Sequence, residues 1–333
     1  MADKKVYKNG KSNPNAYLPK GNMKRFITVS IILLVIIFAV TVEFLDRKNG
    51  DAWKNAYNNA GLVENYPGAL DSELAVYYLN VDQSDCSIIC NGGKVLMIDT
   101  GTPDQTVKIR EALQSLGISK IDYLIITHQH DDHMGGAVTI LENYEVTNVI
   151  MPKLSEVNMV TTRAYENLLN TIKEKQVHAI AAEPNYTFDI GEAKCTVLAP
   201  LSQDSNINNM SAVTKITFGS TSFLFQGDAE KKVESAILSS GADISADVIK
   251  VGHHGSKTSS SKKYINAVSP KVAIISCGAE NSYGHPHKET LETLKNAGID
   301  TYITYQFNTL CVKSDGKNIT VLDNSEVIKT YEQ

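Results

Sequence analysis

From Glu73 onward the chain alternates short apolar runs with stretches whose apolar residues recur at helical spacing. Leu74–Leu79, Ser87–Cys90 and Val95–Ile98 read as consecutive strands, with Asn91-Gly92-Gly93 turning between the last two. Thr106–Leu116 spaces Ile109, Leu113 and Leu116 as a helix does. A strand at Tyr123–Thr127, a short helix, a strand around Val146–Met151 and a helix at Ala164–Lys175 follow. Strand character returns at Cys195–Ala199, Ala212–Phe218 and Ser222–Phe225. The second half predicts helices at Ala229–Leu238, Lys262–Val268 and Glu289–Asn296. Between and after them come strands at Val248–Val251, Val272–Ser276, Thr301–Thr304, Leu310–Val312 and Ile319–Leu322. Such alternation predicts an α/β domain, and one domain over residues 72–333 fits because its chemistry-bearing residues are spread along the whole of it.

Ahead of that domain the pattern changes. Phe26–Val42 is seventeen residues without a charge, rich in Ile, Leu and Val. As a helix it would rise about 25 Å, close to the hydrocarbon thickness of a bilayer. Residues 1–25 carry Lys4, Lys5, Lys8, Lys11, Lys20, Lys24 and Arg25 against Asp3, a net of +6. A secretory signal also sets a basic region before an apolar one, but Glu43-Phe44-Leu45-Asp46 offers no small-residue cleavage site. The reading is a basic cytoplasmic tail at 1–25, a transmembrane signal-anchor at 26–45 and a polar linker at 46–71. The positive-inside bias then places a single-pass protein in the cell membrane with its 72–333 domain extracellular.

Composition and charge narrow the function. A hydrophobic content of 42% suits a globular protein with a real core. The whole chain is −5, so residues 26–333 carry −11, which weighs against broad nucleic-acid binding through Lys and Arg. Lys250, Lys257, Lys262 and Lys263 still leave room for a local basic strip. The five cysteines form no Cys-x-x-Cys metal pair, and Cys86 and Cys90, about 13 Å apart along a strand, are too distant for a disulfide.

Seven of the eight histidines fall in three clusters. The first, Thr127-His128-Gln129-His130-Asp131-Asp132-His133, packs four potential metal ligands into six residues directly after an apolar strand. Imidazole with carboxylate suits zinc first, and manganese or iron after it, better than calcium or magnesium. Four ligands exceed what one open catalytic metal takes from a single segment, so the loop reads as shared by two. His128 and His130 can face one metal, Asp132 and His133 a neighbouring one, while Gly135-Gly136 permits close backbone approach. Asp99, in Ile98-Asp99-Thr100-Gly101, ends a strand and can orient a ligand imidazole. Asp228, in Phe225-Gln226-Gly227-Asp228, would alone read as a helix N-cap; beside the histidine loop it reads better as a bridge between two metals. The other clusters, Val251-Gly252-His253-His254-Gly255-Ser256-Lys257 and Tyr283-Gly284-His285-Pro286-His287, each follow a strand.

The order Ile-Asp-Thr-Gly, His-x-His-x-Asp-His, Gly-Asp and downstream histidine resembles the metallo-β-lactamase superfamily. Val251–Ser260, Tyr283–His287, Asn209-Met210-Ser211 and Asn80–Ile89 resemble its ComEC-type branch of competence proteins and free-standing hydrolases, over residues 73–322 or so. That branch's usual Gly-Gln-Gly-Asp stands here as Asp82-Gln83-Ser84-Asp85. The resemblance implies an αββα sandwich of two mixed sheets with a site at one rim. It implies His128 and His130 on a first metal, Asp132 and His133 on a second, and Asp228 between them. His254 best matches the histidine that closes the second site, with His253 facing substrate; His285 is the alternative closing ligand. True β-lactamases carry a third histidine before the bridging Asp. Only His178 lies in that interval, out of context, and Asn209 and Ser211 take the place, which argues against β-lactam hydrolysis.

The expected chemistry is hydrolysis using two divalent metals, zinc first and manganese second, to activate water. Asp132, Asp228 and His253 are the expected catalytic groups. Asn209, Ser211, Ser256, Lys257, His285 and His287 are expected to bind phosphate or supply a proton. Three functions fit: a membrane-anchored extracellular nuclease acting on DNA, a phosphodiesterase on choline-phosphate or cell-wall esters, and a non-catalytic domain serving a DNA-uptake or surface complex.

Overall fold

The computed structural model describes residues 28–33, 36–37, 40–41, 73–307 and 309–332. Within the apolar segment the described residues are helical, and Val29, Ile31 and Ile36 are exposed. No helix among the described residues is long and apolar enough to cross a membrane. The rest of the expected anchor, the tail 1–25 and the linker 46–71 lie outside the described residues.

The domain that begins at Glu73 is built on two sheets. The chain first lays down β1 (Leu74–Tyr78), β2 (Ser87–Asn91), β3 (Lys94–Ile98), β4 (Lys120–Ile125), β5 (Glu145–Met151) and β6 (His178–Ala181). It then crosses to β7 (Thr187–Ile190), β8 (Ala193–Val197), β9 (Thr214–Phe218), β10 (Thr221–Phe225), β11 (Val248–Lys250), β12 (Val272–Ile275) and β13 (Asp300–Ile303). It returns to the first sheet with β14 (Leu310–Ser314), β15 (Ile319–Asp323) and β16 (Glu326–Tyr331). The orders are β16-β15-β14-β1-β2-β3-β4-β5-β6 and β13-β12-β11-β10-β9-β8-β7. Strands β3 to β6 run parallel to one another, as do β10 to β13, and the other neighbours are antiparallel. Both sheets are therefore mixed.

Side-chain alternation explains the layering. In β1, Leu74, Val76 and Tyr78 face Phe223, Phe225 and Val248 of the other sheet, whereas Ala75 and Tyr77 turn outward. The outward face of the first sheet is covered by helices α1 (Thr106–Ser115), α2 (Asp131–Met134), α3 (Ala137–Asn143) and α4 (Arg163–Glu174), through Ile109, Leu113, Ile140 and Leu168. The second sheet is covered by α5 (Lys231–Ser240), α6 (Lys262–Val268) and α7 (Lys288–Asn296), through Ile237, Ile265 and Leu294. Helices thus lie outside both sheets, the expected αββα order. The carboxyl ends of β3, β4, β10, β11 and β12 carry Asp99, the histidine loop, Asp228, His253-His254 and the Tyr283–His287 turn. Ligands in α/β sheets gather beyond such ends.

Candidate metal centre

The histidine loop is a strand end followed by a single helical turn. His130 has extended backbone and caps α2, whose one turn holds Asp132 and His133. His128 and His130 therefore project before the turn, and the next two donors from within it. The two glycines after it are held by space. A Cβ on Gly136 would lie 2.3 Å from the Thr100 carbonyl oxygen, and one on Gly135 would lie 2.4 Å from that of Asp131. We expect Gly136→Ala to push the turn off the Asp99 loop and cost about 1–3 kcal/mol. Urea denaturation checks this, and wild-type stability in that variant would contradict it.

Two groups of donor atoms result. Those of Asp132, His133, Asp228 and His254 all lie within 4.8 Å of one another, and so do those of His128, His130 and Asp228. Asp228 belongs to both. Its Oδ1 is 3.3 Å from His133 Nε2 and 3.7 Å from His254 Nε2, while its Oδ2 is 3.8 Å from His128 Nε2. It is not a helix cap, since α5 begins at Lys231, two residues later than the sequence pattern predicts, with Glu230 at its N-cap position. The Ser211 hydroxyl accepts from the Asp228 backbone N–H at 3.0 Å and lies 3.5 Å from His128 Nδ1.

Two of the imidazoles, His133 and His254, are held from behind so that Nε2 is free. His133 Nδ1 donates to Asp99 Oδ2 at 2.8 Å, and Asp99 also accepts from the Thr127 backbone N–H and hydroxyl, both at 2.8 Å. His254 Nδ1 donates to the Ser276 carbonyl at 2.9 Å. In each ring this leaves Nε2 pointing at the shared carboxylates. His133 Nε2, His254 Nε2 and Asp228 Oδ1 are buried without a hydrogen-bond partner among the described residues. Convergent, unsatisfied imidazole and carboxylate donors at this spacing fit divalent cations bound at about 2.0–2.2 Å. A third group, Asp85, Asp99 and His133, does not, because its atoms are already paired with one another and with Lys250.

Electrostatics point the same way. Burial would push Asp228 up, but the imidazoles of His133 and His254 outweigh it and hold the carboxyl well below its usual range. Burial would lower His133, yet the carboxylates of Asp228, Asp99 and Asp132 raise it well above the ordinary imidazole value. His128 is held well below that value, by burial first and by His133 second. The carboxylates thus draw positive charge to the pocket. Replacing Asp99 with Asn should free His133 to turn over its tautomer and weaken metal affinity about 10–100-fold. Isothermal titration with zinc checks it, and an unchanged affinity would remove Asp99 from the assembly.

The backbone is strained at the same rim. His253 and His254 both adopt left-handed conformations, at φ 52° and 53°, as does Asp99 at φ 60°. For residues other than glycine this costs on the order of 1–2 kcal/mol each. It aims His254 inward and His253 along the rim, where His253 Nε2 is 3.6 Å from Asp228 Oδ2 and its Nδ1 is 3.0 Å from the Thr258 hydroxyl.

The remaining expected residues are distributed unevenly. His285 stands outside both donor groups, its ring stacked 6.3 Å from that of His254; His254, not His285, completes the second group. His287 lies beyond it, its Nδ1 accepting from the Lys257 backbone N–H. The Asn209 amide is taken up by Asp204 and the Glu230 N–H, and the Ser256 hydroxyl by Thr258. His178 is exposed on the edge strand β6, bonded to Asn148 and away from the centre. Lys257, Lys262 and Lys263 are exposed, but Lys250 is not part of a basic strip. Its side chain is 3% exposed and its Nζ sits 2.9 Å from both oxygens of Asp85. The sequence names Asp85 in a motif and Lys250 in a basic strip, but not the buried pair that they form at the site. The available signal was a lysine within the apolar run of β11.

Residues 79–162 match the profile of the Metallo-beta-lactamase superfamily. The chain is 35% identical over 199 residues to ComE operon protein 3 of Bacillus subtilis, covering 60% of this chain and 25% of that protein. It is 31% identical over 237 residues to Recombination protein 2 of Haemophilus influenzae, covering 68% and 28%. It therefore spans about a quarter of the length of these relatives. The solved structure of CmlA, a diiron beta-hydroxylase from Streptomyces venezuelae, aligns at 14% identity and a TM-score of 0.49, covering 70% of this chain and 53% of that one.

Proposed function

The chain carries a metallo-β-lactamase-superfamily domain of the competence-protein type, and from that premise we propose that it is a metal-dependent phosphodiesterase whose substrate is DNA. The observation that carries the reading is the position of Asp228, whose two oxygens face two separate donor groups. We assign His128, His130 and Asp228 to one divalent cation and Asp132, His133, Asp228 and His254 to the other. Zinc is the first choice and manganese the second. Two such cations supply a nucleophilic water at neutral pH and offset the charge that shifts during attack on a phosphodiester.

The chain's own residues do the rest. Asp99 and the Ser276 carbonyl fix which nitrogen of His133 and His254 looks inward. Ser211 holds Asp228 by its backbone. His253 and His285, both half-buried on the rim, are placed to meet substrate oxygens, and exposed Lys257 lies beside them. The acidic body restricts DNA contact to this strip, so the affinity for long duplexes should be low. The apolar run behind the basic head supports anchoring of the domain outside the cell; protease added to intact cells should then release it.

The decisive assay strips the detergent-solubilised full chain of metal and reloads it with zinc or manganese. It then offers single-stranded DNA and bis-p-nitrophenyl phosphate in parallel. Hydrolysis of both supports the nuclease reading. Cleavage of the small diester alone moves the substrate to other phosphodiesters, such as choline-phosphate or cell-wall esters. No turnover with two metals bound would leave a non-catalytic domain.

A further inference from the structure

Gln83 belongs to the motif Asp82-Gln83-Ser84-Asp85 and, unlike Asp85, has no part in holding the metal centre, yet it reaches the rim. Its Oε1 accepts the Gly278 backbone N–H at 3.2 Å, and its Nε2 lies 3.2 Å from His285 Nδ1. A backbone N–H can only donate, so the first bond fixes which end of the amide is oxygen. The other end must then donate, and His285 Nδ1 must accept. The one ring proton is left on Nε2, which makes no hydrogen bond among the described residues. The loop is close enough to make this specific: a Cβ on Gly278 would lie 2.0 Å from the Asp82 carboxylate.

His285 is also held from behind. Asn281 Oδ1 accepts its backbone N–H at 2.9 Å, and Asn281 Nδ2 donates to its carbonyl at 2.6 Å. Tyr283 stacks on its ring at 5.6 Å, and His253 lies edge-on at 5.7 Å. A second proton would have to sit on Nδ1, where it would meet the Gln83 N–H donor and not an acceptor.

Resting on the phosphodiester reading above, we propose that His285 is a neutral, tautomer-locked hydrogen-bond donor to a non-bridging phosphate oxygen of the substrate, and that Gln83 is the positioning residue that sets its tautomer. It neither takes nor gives a proton. The ring contributes an N–H dipole beside a centre that already concentrates positive charge, where an imidazolium would be repelled. A side chain carrying a neutral N–H should therefore replace it.

Two measurements test this on the full chain. Ring nitrogen-15 spectra of histidine-labelled protein, with His285→Gln used for assignment, should show the Nε2–H tautomer. In Gln83→Glu, whose carboxylate can only accept, the proton should move to Nδ1. Binding of inorganic phosphate to the metal-loaded protein should weaken about 10–100-fold in His285→Ala and in Gln83→Glu, and by less than about threefold in His285→Gln. A Nδ1–H or doubly protonated ring in the wild type overturns the proposal, as does a His285→Gln variant that binds phosphate as poorly as His285→Ala. Neither readout needs turnover. Absent hydrolysis of bis-p-nitrophenyl phosphate would therefore sink the enzymatic reading while leaving these results to decide the role of His285.

Discussion

Asp228→Asn is expected to bind at most one metal per chain and to lose turnover of bis-p-nitrophenyl phosphate by about a thousandfold, equivalent to a barrier higher by about 4 kcal/mol. The substitution preserves volume and leaves one carbonyl oxygen, so a single donor group could still close. It removes the second anionic oxygen, and an amide nitrogen does not ligate. Asp228 is the residue common to the two groups, with Oδ1 on the side of His133 and His254 and Oδ2 on the side of His128. The fold should not change, because the Asp228 N–H to Ser211 bond is made by the backbone and Glu230, not Asp228, stands at the N-cap position of α5. Metal content by mass spectrometry and far-ultraviolet circular dichroism should be measured on the same sample. Two metals bound at near-wild-type rates in this variant would dismiss the shared-carboxylate centre.

The part of this site legible in sequence is the part carried by local pattern. Four donors in one loop could only be read together, and Asp99 and Asp228 were found because each ends an apolar strand. The strands themselves are legible where both faces are covered, as in β12, which is apolar throughout, and β11, apolar but for Lys250. Three strands were not: β6, β7 and β16. Both β6 and β16 lie at sheet edges and are largely exposed, so backbone pairing holds them without an apolar stripe to announce it. The sequence pattern starts α5 two residues early, at Ala229, and the helix begins at Lys231. Partnerships across the sandwich were equally invisible. Gln83 with His285 and Asp85 with Lys250 are separated by 202 and 165 positions, and no periodicity links them.

The Asp85–Lys250 pair leads to the second large effect. Lys250→Met should destabilise the metal-stripped protein by about 3–5 kcal/mol, since it leaves a carboxylate buried between the sheets with its cation gone. Asp85 is more than one end of an ion pair. Its backbone N–H donates to the Asp132 carbonyl at 3.0 Å and its own carbonyl accepts the Gly101 N–H at 2.9 Å, so it joins the histidine loop, the Asp99 loop and the second sheet. Burial would push the Asp85 pKa up, but Lys250, and after it His254 and His133, hold it below the ordinary value. A carboxyl so lowered contributes stability above its unfolded pKa, near 3.9, which is lost as pH falls through the folded value. Without Lys250 the burial penalty dominates, the folded pKa rises, and the acid loss of stability should begin at a higher pH than in the wild type. Adding Asp85→Asn should recover most of the deficit, because both charges are then absent and only their packing remains to be matched. Urea denaturation across pH reads all three proteins. If Lys250→Met stayed within about 1 kcal/mol of the wild type, or the double variant were the worse of the two, Lys250 would not be the cation that makes burial of Asp85 tolerable.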